Sequence, residues 1–324
     1  MEKRTLLKLR LLEKDDAGGL SLFLKNHGTH HYQLDRLFYW GKVEDYVANL
    51  ILEFSLNNSV WVAEDSGGVK GLIGFRKREW DTRHFGYPVA SIDYFFVEKS
   101  IGGREAAFLL VTRFNKWIEE NSIKFGSIKV FPDNNISQVL GENGFYYVGN
   151  EFILSKSLPD SSLEERLSEN IRLFKPNDRD YLLKIIEDVS WLGRFHSDFH
   201  IDKRQADQLY ISWLSNGIKK NNSALTVLEV NGKPSGFVLW SYEHLSKKSK
   251  DLMIGDQELV AIDRAVQGKG YGKALYRGAL IQMQKAGIDL VKTCIAANNA
   301  PALNNQVGLG FGLNYNIVIF HRFF

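Results

Sequence analysis

One stretch of the chain decides its fold: Gln267-Gly268-Lys269-Gly270-Tyr271-Gly272-Lys273. The apolar run before it, residues 258–262, predicts a strand, and residues 274–283 after it predict a helix. The N–H groups at a helix N-terminus have no partners within the helix, and the helix dipole favours negative charge there. Because glycines let this backbone approach a phosphate closely, the stretch predicts an anion site at the start of a helix.

Three kinds of glycine loop can explain such a site. A Walker A loop needs Ser or Thr after Gly-Lys, but Ala274 follows here. A dinucleotide loop needs its third glycine three places after the second, whereas these glycines are two apart. The third pattern, Gln-x-x-Gly-x-Gly, fits Gln267, Gly270 and Gly272. It resembles the diphosphate loop of the GCN5-related N-acetyltransferases, the GNAT superfamily. The alternative is a glycine-rich surface turn without a ligand, and the strand–loop–helix order argues against it.

The resemblance implies a fold, a co-substrate and a set of binding residues. The fold is α/β (α+β in some schemes), a mixed, mostly antiparallel twisted sheet flanked by helices. The co-substrate is acetyl-CoA or another coenzyme A thioester, and no metal is implied. The backbone around Val260, Ala261 and Ile262 is expected to pair with the pantetheine amides. Asn299 is expected to bond the pantetheine arm or a nearby backbone group. The coenzyme diphosphate is expected to bind Gln267, Gly268, Lys269, Gly270, Tyr271, Gly272 and Lys273.

The position of the family's usual acid departs from the pattern. Counting back from Gly310, many family members have a Tyr that protonates the leaving thiolate, where this chain has Gln306. A glutamine amide donates a hydrogen bond but does not usefully transfer a proton. Tyr271 and Tyr315 are candidate substitutes and are equally plausible as packing residues. Since a free thiol has a pKa of about 8.5, a thiolate is a tolerable leaving group even without an acid.

Two carboxylates near the loop are candidate bases, because the acceptor amine must lose a proton in order to attack a thioester. Asp256 and Glu258 lie two residues apart and share a face if the segment is a strand. The alternative is that both are solvent-facing charges at a sheet edge. Glu258 is the preferred candidate.

A weak internal repeat runs through the chain. Two predicted hairpins, at residues 62–75 and 227–240, lie 165 residues apart. Gly144 and Phe145 match Gly310 and Phe311 at a spacing of 166 residues. The near-constant spacing predicts tandem copies of one unit. We expect a degenerate domain at residues 1–157, a linker at 158–170 and a catalytic domain at 171–324.

The first copy lacks the chemistry of the glycine loop. Arg104, Glu105 and Ala106 stand where the second copy has the loop glycines. The carboxylate of Glu105 would repel a diphosphate. We therefore expect only the second copy to bind coenzyme A.

Composition is that of an ordinary globular chain with room for two domains. It has 324 residues, of which 44% are hydrophobic and 24% charged. The net charge of +3 is too small to argue for nucleic acid, and no apolar run approaches the ~20 residues of a membrane span. The first residues lack a signal-peptide core, so we expect a cytoplasmic location. The single cysteine, Cys294, lies in an apolar run and is expected to be buried and inert.

An aromatic-rich stretch, residues 191–200, is expected to form part of the acceptor wall. It contains Arg194 and His196, and the predicted helix that follows carries Tyr210 on its apolar face. Together with a Trp-bearing element in the first copy, it resembles the TDP-fucosamine acetyltransferases, which acetylate an amino group of a nucleotide-linked sugar. Arg194 and His196 then suit a diphosphate, and Tyr210 can stack on a base or sugar. Core packing is the alternative for Tyr210.

Three functions stay open on the sequence. The first is an acyl-CoA-dependent N-acyltransferase, in its leading form an N-acetyltransferase acting on the primary amine of a nucleotide-linked amino sugar. The second is the same reaction on another amine, such as an amino acid, a polyamine or a peptide. The third is a non-catalytic acyl-CoA-binding protein, which Gln306 keeps open. The expected partners are a small-molecule amine and, because dimers are common in the resembling family, a second copy. Nucleic acid and membranes are not expected partners.

Overall fold

The protein forms two compact units in the computed structural model, which describes residues 6–28, 42–161, 163, 168–247 and 250–324. The first unit is Met1–Asn150 together with Tyr315–Phe324, and the second is Glu151–Asn314. Part of the predicted linker, residues 162 and 164–167, lies outside the described residues.

The first unit combines strands from both ends of the chain. With strands and helices numbered along the chain, its strands are β1 (Lys8–Leu11), β2 (Ser59–Asp65), β3 (Gly68–Lys77), β4 (Val89–Val97), β5 (Phe125–Val130) and the end of β12 (Gly312–Phe323). They are ordered β1-β2-β3-β4-β5-β12, with β4 and β5 parallel and the other pairs antiparallel. Its helices are α1 (Ala17–His27), α2 (Val43–Ser55), α3 (Glu79–Phe85), α4 (Ile101–Glu120) and α5 (Asn134–Glu142).

The second unit repeats this plan. Its strands are β6 (Tyr146–Ser157), which enters it at Glu151, β7 (Ile171–Leu173), β8 (Ser223–Val230), β9 (Lys233–Lys247), β10 (Lys250–Ile262) and β11 (Leu290–Ala296). They are ordered β6-β11-β10-β9-β8-β7, with β10 and β11 parallel. Its helices are α6 (Arg179–Asp188), α7 (Arg194–Ser197), α8 (Lys203–Gly217), α9 (Tyr271–Lys285) and α10 (Ala300–Val307). The predicted fold class, a mixed and mostly antiparallel sheet with flanking helices in each unit, is confirmed.

Side-chain alternation explains why helices lie on both faces of these sheets. In β3, Leu72 belongs to a buried cluster with Leu24 of α1 and Ile51 of α2. The next residue, Ile73, belongs to a different cluster that contains Leu110 of α4. Successive residues of a strand point to opposite faces, so a strand that is apolar on both sides needs cover on both sides.

An arginine bridge recurs at the same place in the two units. Arg10 of β1 donates to Asp16 at 2.6 Å and 2.7 Å and to Glu64 of β2. Arg172 of β7 donates to Asp178 at 2.7 Å and 2.9 Å, and also to Glu229 of β8. Both arginines also bond the backbone oxygen of the next residue. The shared geometry supports the interpretation of the chain as two copies of one unit.

The two copies exchange their last strands, which the predicted domain boundaries of 1–157 and 171–324 do not contain. Residues 151–157 of β6 pair with β11 in the second unit. Residues 318–323 of β12 pair with β5 in the first unit. The compact units therefore end at residues 150 and 314. Alternation along a strand predicts which side chains are buried, but it does not identify the neighbouring strand.

The parallel strands of each unit pair over four residues and then separate. In the first unit, Val89–Ile92 pairs with Phe125–Ile128. In the second unit, Ile254–Gln257 pairs with Leu290–Thr293. Each of these residues has its counterpart 165 positions along the chain. Beyond Gln257, residues 259–262 of β10 stay paired with β9 on one side. Within the described residues, β10 does not pair with β11 from Glu258 onwards.

Candidate functional site

The glycine loop joins β10 to α9, as the sequence predicted. Gly268 and Gly270 have φ angles of 75° and 82°. This left-handed conformation is strained for residues with a side chain. Gly270 is the residue that caps α9, and no side chain makes a capping hydrogen bond there. The first N–H groups of α9 are therefore left for an anion.

Two polar side chains of the loop fold back onto its own backbone. Gln267 donates from Nε2 to the backbone oxygen of Ile262 at 2.8 Å. Lys269 donates from Nζ to the oxygen of Ala265 at 2.9 Å. These contacts hold the shape of the loop. A Cβ on Gly272 would lie 3.1 Å from Nδ2 of Asn305, so α10 approaches the loop closely at this glycine.

Other predicted coenzyme residues surround this loop. Tyr271 packs against the hydrophobic cluster beneath α9, and Lys273 lies in the first turn of that helix. Asn299 caps α10, because its side-chain oxygen accepts from the N–H of Ala302 at 3.2 Å. Bonding to a nearby backbone group was one of the two roles expected for Asn299.

The corresponding helix start in the first unit is closed. Ser100 caps α4 by accepting from the N–H of Gly103 at 3.1 Å. A Cβ on Gly103 would lie 1.8 Å from the backbone oxygen of Glu98, so the chain is tightly packed there. Arg104 is paired with Glu142 at 2.5 Å. The two units therefore differ at this helix start. A side chain caps α4, whereas none caps α9, and an uncapped helix start favours an anion.

A buried pair of glutamines lies where β10 and β11 separate. Gln306 of α10 donates from Nε2 to Oε1 of Gln257 at 2.5 Å. Both residues are almost fully buried, 0% and 3% exposed. Within the described residues, Nε2 of Gln257 and Oε1 of Gln306 have no hydrogen-bond partner. A buried polar group left unpaired costs about 1–3 kcal/mol, so this pair calls for an explanation.

The two candidate bases lie on the face of the sheet opposite α9. A Cβ on Gly255 would contact Met283 of α9, so the next residue, Asp256, points to the other face. Glu258 occupies a bulge in the pairing of β10 with β9. Its carboxylate accepts from Nε1 of Trp213, on α8, at 2.8 Å and from the hydroxyl of Ser241. Both carboxylates therefore lie on the side of α8, as their shared-face pattern predicted.

Asp256 has the electrostatic properties of a base that works near neutral pH. Its side chain is open to solvent, yet protein atoms surround it closely. This crowding raises the pKa of Asp256 to about 6; Glu258 and Glu243 contribute in the same direction and Lys292 opposes them. Lys292 is its pairing partner on β11. A solvent-exposed carboxylate with a raised pKa is typical of catalytic sites.

Tyr315, a candidate acid, belongs to the first unit. Its ring lies 5.3 Å from that of Phe131, and the two residues line a cavity of about 110 Å³ beside β4 and β5. The cavity lies at the separation of the parallel strands of the first unit. The role of Tyr315 as the acid therefore stays a prediction.

The residues predicted for the acceptor wall are engaged in contacts with other side chains of the second unit. Arg194 lies 3.8 Å from Glu151 and 4.4 Å above the ring of Phe195. His196 is paired with Asp207 of α8 at 2.8 Å. Tyr210 stacks on Trp191 with ring centroids 4.1 Å apart, and burial raises its pKa to about 12. These contacts favour the packing interpretation of Tyr210 and leave the diphosphate role of Arg194 and His196 a prediction.

The sequence did not indicate several residues on this side of the sheet. Glu151 of β6 accepts a hydrogen bond from the thiol of Cys294 at 3.1 Å. Cys294 is exposed, so its expected burial is wrong. It lies just beyond Thr293, the last residue of β11 paired with β10, and it therefore borders the cleft where the strands separate. No sequence signal links Glu151 to this site, because its strand was assigned to the other copy.

The structure also bears on metals and membranes. Among the described residues, no cluster of three or more His, Cys, Asp and Glu side chains is arranged to hold a metal ion. In the same ranges, every helix is too short or too polar to span a bilayer.

Comparison with known proteins finds a family model that matches part of the second unit. Residues 188–311 match the model of the Acetyltransferase (GNAT) family. The second unit carries a GNAT match. The matched segment runs from the end of α6 to Phe311 and includes the glycine loop, β10, β11 and α10.

One curated relative and two solved structures are also similar to this chain. An uncharacterized N-acetyltransferase of Methanocaldococcus jannaschii is 29% identical over 113 residues, which are 35% of this chain and 48% of that protein. The match thus spans about half of that relative. A GCN5-related N-acetyltransferase from Sphaerobacter thermophilus has a TM-score of 0.61 at 15% identity, covering 98% of this chain and 95% of the other.

A second solved structure aligns with nearly the whole chain. It is described as a tandem GNAT protein from the clavulanic acid biosynthesis pathway. Its TM-score is 0.52 at 16% identity, with 98% of each chain covered. At such low identities these structures show the fold alone.

Proposed function

We propose that the protein is an acyl-CoA-dependent N-acyltransferase that acetylates a primary amine in its second unit. The glycine-rich start of α9 carries this proposal, because Gly270 caps it in a left-handed conformation and no side chain bonds its first N–H groups. The GNAT match over residues 188–311 supports the same chemistry. The closed start of α4 in the first unit argues that coenzyme A binds only in the second.

The coenzyme is proposed to lie along the free side of β10. The N–H groups of Gly268 to Lys273 would bind its diphosphate. The side of Val260 and Ala261 that does not pair with β9 then offers backbone groups to the pantetheine amides, in the manner of an added strand, whereas the oxygen of Ile262 already accepts from Gln267. This path leads from the loop to the point where β10 and β11 separate.

Asp256 and Glu258 are proposed to act on the acceptor amine. The pKa of Asp256, about 6, lets the ionised carboxylate accept a proton at neutral pH as the amine attacks. Glu258 is held by Trp213 and Ser241, so it suits the binding of an incoming ammonium group better than proton transfer. These contacts favour Asp256 as the proposed base, whereas the sequence favoured Glu258.

The acceptor is proposed to be a small primary amine, with a nucleotide-linked amino sugar as one candidate. Arg194 and His196 face the carboxylates of Glu151 and Asp207, so a sugar diphosphate would have to displace these contacts. The acidic side chains of the cleft equally suit an amino acid, a polyamine or a peptide amine. A homodimer and a cytoplasmic location stay predictions.

A turnover screen tests the proposal. The protein is incubated with acetyl-CoA and a panel of amino sugar nucleotides, amino acids, polyamines and peptides, and released thiol is measured. Thiol release that depends on one class of amine supports the proposal and names the acceptor. Binding of acetyl-CoA without release on any amine would instead support a non-catalytic acyl-CoA-binding protein.

A further inference from the structure

The glutamine pair at the separation of β10 and β11 has a counterpart in the first unit. Gln257 corresponds in strand register to Ile92, because Val89–Ile92 and Ile254–Gln257 make the same four-residue parallel pairing. Gln306 corresponds to Leu140, because each residue's backbone oxygen accepts from the Phe five places further on, Phe311 and Phe145 respectively.

The first unit fills this place with hydrocarbon. Ile92 and Leu140 are 1% and 0% exposed, and both belong to one hydrophobic cluster. The second unit buries two amides at the same place and leaves one N–H and one carbonyl oxygen without a partner in the described residues. Exchanging the two amide orientations still leaves one donor and one acceptor unpaired. Since the fold can be closed here with Ile and Leu, folding alone does not require the glutamines.

The position of the pair fits the reactive end of the coenzyme. The glycine loop begins after Ile262, and Gln257 lies five residues back along β10, about 17 Å at about 3.3 Å per residue. An extended pantetheine arm spans about this distance along the side of β10 that does not pair with β9. Its sulfur would then arrive beside Gln257, where Thr293 is the last residue of β11 in the pairing.

We propose that Gln257 and Gln306 form a sulfur-binding pair, in which the free amide N–H donates a hydrogen bond to the coenzyme sulfur. This inference rests on the proposed function and adds Gln257 to its machinery. Gln306 orients Gln257 through the 2.5 Å hydrogen bond. The donor is Nε2 of Gln257 in this structure.

The pair supports departure of the thiolate without protonating it. The amine nitrogen forms the new C–N bond, and its proton passes to Asp256, directly or through water. The C–S bond breaks with its electron pair moving to sulfur, and the thiolate leaves while bonded to the amide N–H. It takes a proton from water after release. An amide does not act as an acid near neutral pH, so the pair replaces proton donation with a hydrogen bond to the developing charge.

Binding of coenzyme A and of desulfo-coenzyme A, which lacks the sulfur, tests the pair directly. Calorimetric titrations are made at about pH 9, where a thiol of pKa about 8.5 is mostly ionised. We expect the wild-type protein to bind coenzyme A about tenfold more tightly than the desulfo analogue, because a hydrogen bond to a charged group is involved. The preference should weaken as the pH falls below the thiol pKa.

The double variant Gln257→Ile/Gln306→Leu copies the first unit and leaves no amide unpaired. We expect it to bind both ligands equally and to show a lower kcat with little change in the KM for acetyl-CoA. Equal binding of the two ligands by the wild type, or a preference retained in the double variant, would overturn the proposal. The wild-type comparison stands even if the variant does not fold. Failure of both ligands to bind would instead contradict the proposed function itself.

Discussion

The indole N–H of Trp213 donates a hydrogen bond of 2.8 Å to the carboxylate of Glu258, 45 residues further along the chain. It joins α8 to the bulge of β10, where the parallel pairing with β11 has just ended. A second donor, the hydroxyl of Ser241, fixes the other carboxylate oxygen. The acceptor side of the cleft therefore has a carboxylate of fixed orientation beside the more open Asp256.

The variant Glu258→Gln should lower kcat/KM for the amine about tenfold or more at neutral pH, because it removes the charge that attracts an ammonium group. Trp213→Phe keeps the ring but removes the N–H, so its effect should be smaller and in the same direction. The affinity for coenzyme A, measured by calorimetry, should stay unchanged in both variants. An unaltered kcat/KM in Glu258→Gln would exclude a role for this carboxylate.

Asp256→Asn should remove one titration from the pH profile. In the wild type, kcat/KM for the amine should show an additional fall below about pH 6. The pKa of Asp256 is raised to about 6, so the base becomes protonated in this range. The asparagine variant should lack this fall and be slower by about 100-fold at neutral pH. Persistence of the fall in Asp256→Asn would assign the titration to another group.

Two neighbouring charges should move that titration in opposite directions. Lys292 lowers the pKa of Asp256, so Lys292→Met should shift the fall in kcat/KM to higher pH. Glu243 raises the same pKa, so Glu243→Gln should shift the fall to lower pH. Shifts of the same sign in the two variants would show that Asp256 is not the group observed.

The sequence predicted the local parts of this site and not its long-range contacts. The glycine spacing predicted the loop between β10 and α9, and the apolar alternation predicted both strands of each hairpin. The bond of Trp213 to Glu258 and that of Cys294 to Glu151 could not be predicted. They depend on which strands and helices become neighbours, and periodicity does not encode this information.

The exchange of the last strands shows the same limit at the scale of the fold. Both β6 and β12 alternate as strands should, so their existence follows from the sequence. The sheet that each strand joins does not follow from the sequence, because each of the two pairs with a strand of the other copy. The predicted boundaries at 157 and 171 assumed that a copy keeps its own last strand. The residues assigned to coenzyme binding and to catalysis stay predictions, and the proposed experiments test them.

The repeated arginine bridge should contribute comparably to the stability of the two units. Arg172→Met leaves the carboxylate of Asp178, 4% exposed as a residue, without its main partner. We expect a loss of about 2 kcal/mol, and the same for the matched variant Arg10→Met. Hydrogen exchange should increase mainly in the second unit for Arg172→Met and mainly in the first for Arg10→Met. Unchanged exchange in both variants would contradict a structural role for the bridge.

The pH dependence of this contribution has a definite sign. Burial raises the pKa of Asp178, but the hydrogen bonds from Arg172 and the Lys175 backbone outweigh it, and the net pKa is lowered. A lowered pKa stabilises the fold above the unfolded value of about 3.9, and this stability is lost as the pH falls through the folded pKa. The free energy of unfolding, measured with urea, should therefore decrease more steeply below about pH 4 in the wild type than in Arg172→Met. If the free energy of unfolding had the same pH dependence in both proteins, an ionised pair of Arg172 and Asp178 would be contradicted.

Calorimetric titration with acetyl-CoA determines whether the protein has a single coenzyme site and whether that site lies at the glycine loop of the second unit. Gly272→Asp puts a carboxylate at the start of α9, and its matched control, Gly102→Asp, does the same at the start of α4. We predict one site per chain in the wild type and in Gly102→Asp, and affinity at least about tenfold weaker in Gly272→Asp. Two sites per chain, no binding, or a loss of affinity in Gly102→Asp alone would contradict the account.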